Sequence, residues 1–154
     1  MPLDGKFVTV FTDASFDHTT RAYGWAAWMK FDGTTERLHG AGYTETSTEA
    51  EYLALLNAVG FLCRHPARLG RVVVLQSDCV GAIDKAQPLL DRLREYGAAG
   101  AYFKHVKGHS GTDNPRSAVN TWCDRTARKE MRAFRRAHFH DLRRQRRAAA
   151  TMEA

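Results

Sequence analysis

Four acidic residues stand in four separately built stretches of this chain, and together they have the chemistry of a divalent-metal site. They are Asp13 in Val-Phe-Thr-Asp-Ala-Ser, Glu51 in Ser-Thr-Glu-Ala-Glu-Tyr, Asp78 in Val-Leu-Gln-Ser-Asp, and Asp124 in Asn-Thr-Trp-Cys-Asp-Arg. Asp13 and Asp78 end apolar runs typical of strands, while Glu51 and Asp124 fall near the beginnings of helical patterns. Carboxylates from strand ends and helices are the ligands that Mg²⁺ prefers. The pattern therefore predicts metal-dependent phosphodiester hydrolysis.

Each acid taken alone also has a simpler explanation. Glu51 could be a first-turn acid stabilised by the helix dipole, a role worth roughly 0.3–1 kcal/mol, although Glu49 suits that role better. Asp124 could pair with Arg128 one helical turn later. Asp78 has the weakest alternative, in which the preceding serine is an ordinary helix cap. The metal-site interpretation is favoured because all four positions agree with one another.

The elements that must position these acids follow from apolar periodicity. Runs rich in β-branched and aromatic residues predict strands, and Asp32-Gly33 predicts a tight hairpin between the second and third of them. The Val72-Val73-Val74-Leu75 run predicts a buried, parallel fourth strand. The five predicted strands cover residues 6–12, 22–31, 34–44, 71–76 and 102–106.

Helical spacing predicts four helices between and after these strands. The first is capped by Ser47 or Thr48, a short one covers residues 80–85, and Pro88 opens a third that ends near Gly97. A long basic helix starts at about Ser117 and runs as far as Arg147. This order predicts an α/β fold with a five-stranded mixed sheet, three strands antiparallel and two parallel, and helices on both faces. Sites in such sheets lie at the carboxyl ends of the parallel strands, where Asp13 and Asp78 stand.

Composition predicts one soluble domain with a polyanionic partner. The chain has 154 residues and a net charge of +6, but residues 125–147 alone carry +8, so the remainder carries −2. A basic tail of this kind favours nucleic acid, with an arginine-rich solvated helix as the plain alternative. No apolar run is long enough for a membrane span or a signal peptide, which predicts a cytoplasmic protein. Three cysteines without CxxC spacing indicate neither a disulfide framework nor a zinc site.

Five sequence pieces, in order, resemble the type 1 pattern of the ribonuclease H superfamily. The resemblance extends over most of the chain, from Phe7 to about Lys129, and five pieces in register make a chance match very improbable. The pieces are Thr12-Asp13-Ala14-Ser15, Ala50-Glu51-Tyr52-Leu53-Ala54-Leu55, Ser77-Asp78, Val106-Lys107-Gly108-His109-Ser110-Gly111 and Asn120-Thr121-Trp122-Cys123-Asp124-Arg125-Thr126-Ala127.

This resemblance implies a ribonuclease H-like nuclease domain over residues 1–130 and a basic helical extension over residues 131–154. It implies that Asp13, Glu51, Asp78 and Asp124 bind two Mg²⁺ or Mn²⁺ ions, which activate a water and stabilise the leaving oxygen. Asp13, at the end of the central strand, would bridge the two ions. His109 matches the family's mobile histidine, which moves protons or assists product release. The implied activity is endonucleolytic cleavage of the RNA strand of RNA/DNA hybrids.

The chain departs from the type 1 pattern where substrate is recognised. Ser47 and Thr48 stand where a pair of asparagines is usual, and Val80 replaces a common glutamine. Hydroxyl groups can still bind a 2′-hydroxyl. The expected nucleic-acid contacts are accordingly Ser15, Ser47 and Thr48 near the metal site, and Arg132, Arg135 and Arg136 on the extension.

Two other functions remain open at the level of sequence. The last helix could offer Met131, Phe134 and Leu142 as a dimer seam, and a dimer with two metal sites would suit a Holliday-junction resolvase that cuts branched DNA. The chain would otherwise be a monomer. A non-catalytic nucleic-acid-binding module is the third possibility, and the intact set of four acids argues against it because a silent protein has no need of a repulsive cluster.

Overall fold

A computed structural model describes residues 6–66, 69–107, 115–138, 144 and 147–151 of the chain. Within these ranges the chain forms five strands and four helices around one sheet. None of the helices in the described ranges combines the length and apolarity that a bilayer span requires.

The sheet is mixed, with its two parallel pairs on one side of the central strand. Its strands are β1 (Phe7–Phe16), β2 (Ala22–Phe31), β3 (Thr34–Tyr43), β4 (Val72–Ser77) and β5 (Gly100–His105). Their spatial order is β3-β2-β1-β4-β5, so β1 is central. The pairs β1–β2 and β2–β3 are antiparallel, whereas β4 runs parallel to both β1 and β5. The predicted arrangement of three antiparallel and two parallel strands is confirmed.

The predicted hairpin forms between β2 and β3. Phe31 pairs with Thr34, which leaves Asp32 and Gly33 as a two-residue turn. Both turn residues have positive φ, 47° and 73°, the backbone conformation that an Asp-Gly turn favours.

Helices cover both faces of the sheet. They are α1 (Ser47–Arg64), α2 (Val80–Lys85), α3 (Pro88–Glu95) and α4 (Pro115–Ala137). Leu55 of α1 and Leu93 of α3 share one core with Val8 and Val10 of β1. On the opposite face Phe11, the next residue of β1, packs with Cys123 and Ala127 of α4. Successive β1 side chains thus alternate between the two cores, as the pleat of a strand requires.

Helix α4 lies directly against the backbone of β2. A Cβ atom on Gly24 would lie 2.1 Å from the carbonyl oxygen of Ala127 and 2.4 Å from the amide nitrogen of Met131. Only glycine permits this approach. Farther along α4, Met131 is buried against Ala22, and Phe134 packs beside them.

Three predicted boundaries were wrong, each for a local reason. β1 continues to Phe16 instead of ending at Thr12, because β2 supplies an antiparallel partner for the whole extension. The cap of α1 is Thr46, not Ser47 or Thr48, since the Thr46 side chain accepts a hydrogen bond from the Glu49 amide at 3.1 Å.

The third correction concerns the last helix. α4 ends at Ala137 and does not run on to Arg147, although residues 147–151 are again helical. It passes through residue 130 without interruption, and the division of the chain at that residue stays a prediction. Leu142 lies outside the described residues. Met131 and Phe134 pack against Ala22 within the chain itself, so these two residues are already engaged and do not support the predicted dimer seam.

Candidate metal centre

Asp13 and Asp78 meet because two parallel strands end at the same edge of the sheet. The parallel pairing between β1 and β4 finishes at Phe11 and Gln76, and each acid lies two residues beyond this last β1–β4 pair. The Asp78 turn is fixed on both sides: the Ser77 hydroxyl accepts a hydrogen bond from the Cys79 amide at 3.2 Å, and the His105 ring lies 3.2 Å from the Asp78 carbonyl oxygen. The carboxyl-end placement predicted from sequence is therefore observed.

Glu51 reaches the same place from the first turns of α1. Ala50 and Ala54 are fully buried, so this part of the helix lies close to the sheet. The Ala14 amide lies 2.9 Å from Oδ1 of Asp13 and 3.3 Å from Oε1 of Glu51, and it donates to both. One backbone N–H thus holds the strand acid and the helix acid together. Glu49, the acid in the first turn of α1, instead pairs with Lys85 of α2.

The three carboxylates form one compact cluster. Each offers an oxygen, and these oxygens all lie within 4.8 Å of one another. Asp78 is the most accessible of the three. Oε2 of Glu51 is buried and has no hydrogen-bond partner among the described residues. A buried carboxylate oxygen without a donor is costly unless something of positive charge binds it.

The cluster disfavours its own negative charge. Burial, and then repulsion by Asp78, raises the pKa of Asp13 to about 7. Burial, and then the charges of Asp13 and Asp78, raises the pKa of Glu51 to about 9. Shifts of this origin mark carboxylates that are gathered at one place without a compensating cation.

Asp124 lies near this cluster but is not one of its three members. Its two carboxylate oxygens lie 3.1 and 3.4 Å from Nη2 of Arg128, the one-turn pair that the sequence also allowed. Its charge nevertheless contributes to the raised pKa of Asp13. The adjacent Cys123 is fully buried, with its thiol 3.8 Å from the Phe11 carbonyl oxygen, and this contact fixes α4 beside β1.

The remaining predicted site residues differ in their exposure and in whether the structure describes them. Ser47 and Thr48 are exposed at the start of α1, and a Cβ on Gly81 of α2 would lie 3.2 Å from the Thr48 methyl group. Ser15 is half-buried on β1, two residues beyond Asp13. His109 lies outside the described residues. No sequence pattern could have identified the Ala14 amide, because a backbone donor leaves no trace in the type of side chain.

The three arginines predicted to contact nucleic acid differ in their surroundings. Arg135 binds Asp17, in the connection between β1 and β2, at 2.9 Å. Arg132 and Arg136 are exposed and line a groove along α4.

Several solved structures that this chain resembles are ribonucleases H. No protein-family profile and no curated protein sequence matches the chain. LC11-RNase H1, a metagenomic protein from compost solved in complex with RNA/DNA hybrid, superposes with a TM-score of 0.63 at 13% identity, covering 82% of this chain and 97% of that one. The N-terminal RNase H domain from Mycobacterium tuberculosis superposes with a TM-score of 0.61 at 17% identity, covering 86% of this chain and 98% of that one. RNase H1 from Halobacterium salinarum superposes with a TM-score of 0.58 at 20% identity, covering 82% of this chain and 98% of that one.

These likenesses define the class of fold. The sheet order, the parallel and antiparallel pairs and the helices on both faces are those of a ribonuclease H-like fold. Within that fold, the chain has an acidic group able to bind a metal ion at the carboxyl ends of its central strands.

Proposed function

We propose that this protein is a divalent-metal-dependent endonuclease that cleaves the RNA strand of RNA/DNA hybrids. The observation that carries the proposal is the cluster of Asp13, Glu51 and Asp78, whose oxygens lie within 4.8 Å of one another. A structural role does not account for three carboxylates gathered so closely that burial and neighbouring charges raise the pKa values of Asp13 and Glu51. A metal-binding role does, because a cation removes the repulsion.

The donor set fits Mg²⁺ or Mn²⁺. It consists of carboxylate oxygens alone, and Oε2 of Glu51 is buried without a partner in the described structure. Asp13, Glu51 and Asp78 would hold the ions, two in our proposal, with Asp124 as a further ligand once it leaves Arg128. When bound, such ions lower the pKa of an attacking water and stabilise the leaving oxygen.

The chain's own residues support this chemistry in different ways. The Ala14 amide fixes the orientation of both Asp13 and Glu51, which keeps the cluster in place before any ion arrives. Burial around Glu51 excludes water from one side of the cluster, while the accessible Asp78 leaves the other side open to substrate. We assign proton transfer or product release to His109.

The choice of substrate rests on the fold and on the groups beside the metal centre. One structure of the same fold is a complex with an RNA/DNA hybrid. In this chain, the exposed hydroxyls of Ser47 and Thr48 lie four and three residues before Glu51 on α1, respectively. Such hydroxyls can bind the 2′-hydroxyl of a ribonucleotide.

The test of catalysis is Asp78→Asn. We expect it to lower Mg²⁺-dependent cleavage by at least about 100-fold while the protein remains folded, because the amide keeps the shape of the side chain but loses its charge. The matched control is Asp91→Asn on α3, where an exposed aspartate pairs only with Arg94 one turn away. Initial rates on a labelled hybrid, with circular dichroism of both variants, measure the effect. Full activity in Asp78→Asn would end the assignment.

A panel of substrates tests specificity. Hybrid, duplex RNA, single-stranded DNA and branched DNA are incubated with Mg²⁺ or Mn²⁺, and the solution mass of the protein is measured alongside. We expect cleavage of the hybrid by a monomer. A dimer that nicks branched DNA and ignores the hybrid would replace this proposal with a junction resolvase, and binding without any cleavage would replace it with a non-catalytic module.

A further inference from the structure

Helix α4 carries a continuous row of cations on the side that faces away from the sheet. Their spacing of three, four and seven residues places them on one helical face, whereas Cys123, Ala127 and Met131 on the other side are buried. These cations, which we call the basic ridge, are Arg125, Arg128, Lys129, Arg132 and Arg136. All five are exposed and, with Ala133, they line a groove of about 370 Å³.

The basic ridge is poorly compensated by acids. Among the residues that the structure describes, only Arg128 of the five has an acidic partner, namely Asp124. Several cations elsewhere on the described surface have an acidic partner, for example Arg21 with Glu45 and Arg71 with Asp32. Arg135, which lies between two ridge positions in sequence, is itself bound to Asp17.

This arrangement has a cost that a solvated helix would not need to bear. Like charges one turn apart destabilise a helix by about 0.2–0.5 kcal/mol per pair. Spreading the same arginines around the helix, or interleaving acids, would remove that repulsion. An external polyanion that binds along the row would remove it as well.

We propose that the basic ridge binds the sugar-phosphate backbone of a nucleic-acid strand outside the segment that is cut. This rests on the proposed function. From Arg125 to Arg136 the ridge is about 16 Å long, since a helix rises about 1.5 Å per residue. That length faces roughly five phosphates of one strand. The ridge begins beside Asp124, so a strand following it leads away from the metal centre. The contacts are to phosphates, and binding is therefore independent of sequence.

The experiment compares two hybrids that differ in length, without divalent metal. Fluorescence anisotropy measures binding of a hybrid of about 30 base pairs and of one of about 8, in EDTA, over a series of salt concentrations. The ridge variant combines Arg125→Gln, Arg132→Gln and Arg136→Gln, because glutamine keeps helix propensity. The charge-matched control combines Lys30→Gln, Arg64→Gln and Arg92→Gln, three exposed cations on β2, α1 and α3.

We expect the ridge variant to bind the long hybrid about tenfold more weakly and to make the log Kd against log salt slope shallower by about three. The short hybrid should lose less affinity than the long one, because it is too short to fill the metal centre and contact the whole ridge at the same time. The control should leave both nearly unchanged. The proposal would be overturned if the ridge variant bound the long hybrid with the affinity of the wild-type protein. It would also be overturned if the control variant lost as much affinity for the long hybrid as the ridge variant. Melting temperatures verify that all three proteins are folded.

Failure of this inference can be told apart from failure of the proposed function. Cleavage of the short hybrid by the wild-type protein in Mg²⁺ tests catalysis alone, whereas the anisotropy in EDTA tests the ridge alone. Heparin, titrated against the same variants, tests for another polyanion. If the ridge variant loses heparin binding but retains hybrid binding, the ridge serves a different partner and the proposal is wrong.

Discussion

Asp124 lies close enough to raise the pKa of Asp13, yet its carboxylate is bound by the guanidinium of Arg128 at 3.1 Å. The ion pair is partly open to solvent, with 49% of the arginine side chain and 26% of the aspartate side chain exposed. Pairs of this kind contribute about 0–1 kcal/mol, so little free energy is needed to separate them. In the proposed metal site, Arg128 would therefore compete with the metal ion for Asp124.

We predict that Arg128→Gln strengthens metal binding. Without the guanidinium, Asp124 is free to join the other three acids, and the local negative charge rises. The concentration of Mg²⁺ that half-saturates binding, measured by calorimetry, should fall about twofold to tenfold, while stability changes by less than about 1 kcal/mol. Arg94→Gln on α3 is the control: it removes a one-turn ion pair with Asp91, and also a hydrogen bond to the Ala101 carbonyl oxygen, away from the acidic cluster. Weaker Mg²⁺ binding in Arg128→Gln would show that the ion pair supports the site.

At the level of elements, the site depends on how α4 packs against the sheet. Cys123 contacts β1 beside the acidic cluster, and Gly24 of β2 allows the helix backbone to approach between Ala127 and Met131. The helix position is thus set by backbone contact and by small buried side chains. Any group added there must displace the helix that carries Asp124.

We predict that Gly24→Ala destabilises the protein by about 3 kcal/mol, because the new methyl group would meet backbone atoms that cannot rotate away. Gly100→Ala on β5 is the matched control: its Cβ would lie 3.7 Å from Val72, an ordinary contact. Urea denaturation of both variants measures the difference. Equal free energies of unfolding for the two variants would contradict the prediction, because α4 would then be able to shift away from the new methyl group at no cost in stability.

For the whole molecule, the buried acids link stability to pH and to metal. The pKa values of Asp13 and Glu51 are raised on folding, to about 7 and about 9, so the folded state holds their protons more tightly than the unfolded chain does. The stabilisation this provides is complete below the ordinary carboxyl range and is lost as the pH rises through those two values. A divalent ion at the proposed site would bind the deprotonated carboxylates and so restore stability at pH values where the protons have left.

We predict that Mg²⁺ raises the melting temperature by several degrees near pH 9 and much less near pH 5. Glu51→Gln is the control, since the uncharged amide removes one of the two raised groups. In EDTA, the melting temperature of Glu51→Gln should rise relative to wild type as the pH increases from about 5 to about 9. Sodium chloride at equal ionic strength separates specific binding from screening. An equal effect of Mg²⁺ at both pH values would contradict the linkage.

The sequence by itself determined most of the fold. Alternating and helical apolar periods predicted all five strands and all four helices, and Asp32-Gly33 predicted its hairpin, because these signals depend only on neighbouring residues. Boundaries were less predictable. β1 runs on to Phe16 because β2 pairs with it, and such a partner is invisible to a local pattern. The cap of α1 was missed for a different reason: the choice among Thr46, Ser47 and Thr48 depends on which side chain meets the Glu49 amide, a matter of local geometry.

The acidic residues were also identified from sequence, but their relationship was decided by the tertiary structure. Parallel strands and α1 bring Asp13, Glu51 and Asp78 together from positions far apart in the chain, and the Ala14 amide joins two of them. The sequence allowed Asp124 to be a metal ligand or the partner of Arg128. The structure shows it paired with Arg128 and also close enough to Asp13 to raise the pKa of that residue. Residue types fix which chemistry is available. Folding brings side chains together from distant parts of the chain. The distances between them determine which ionisable groups interact, and long-range packing sets those distances.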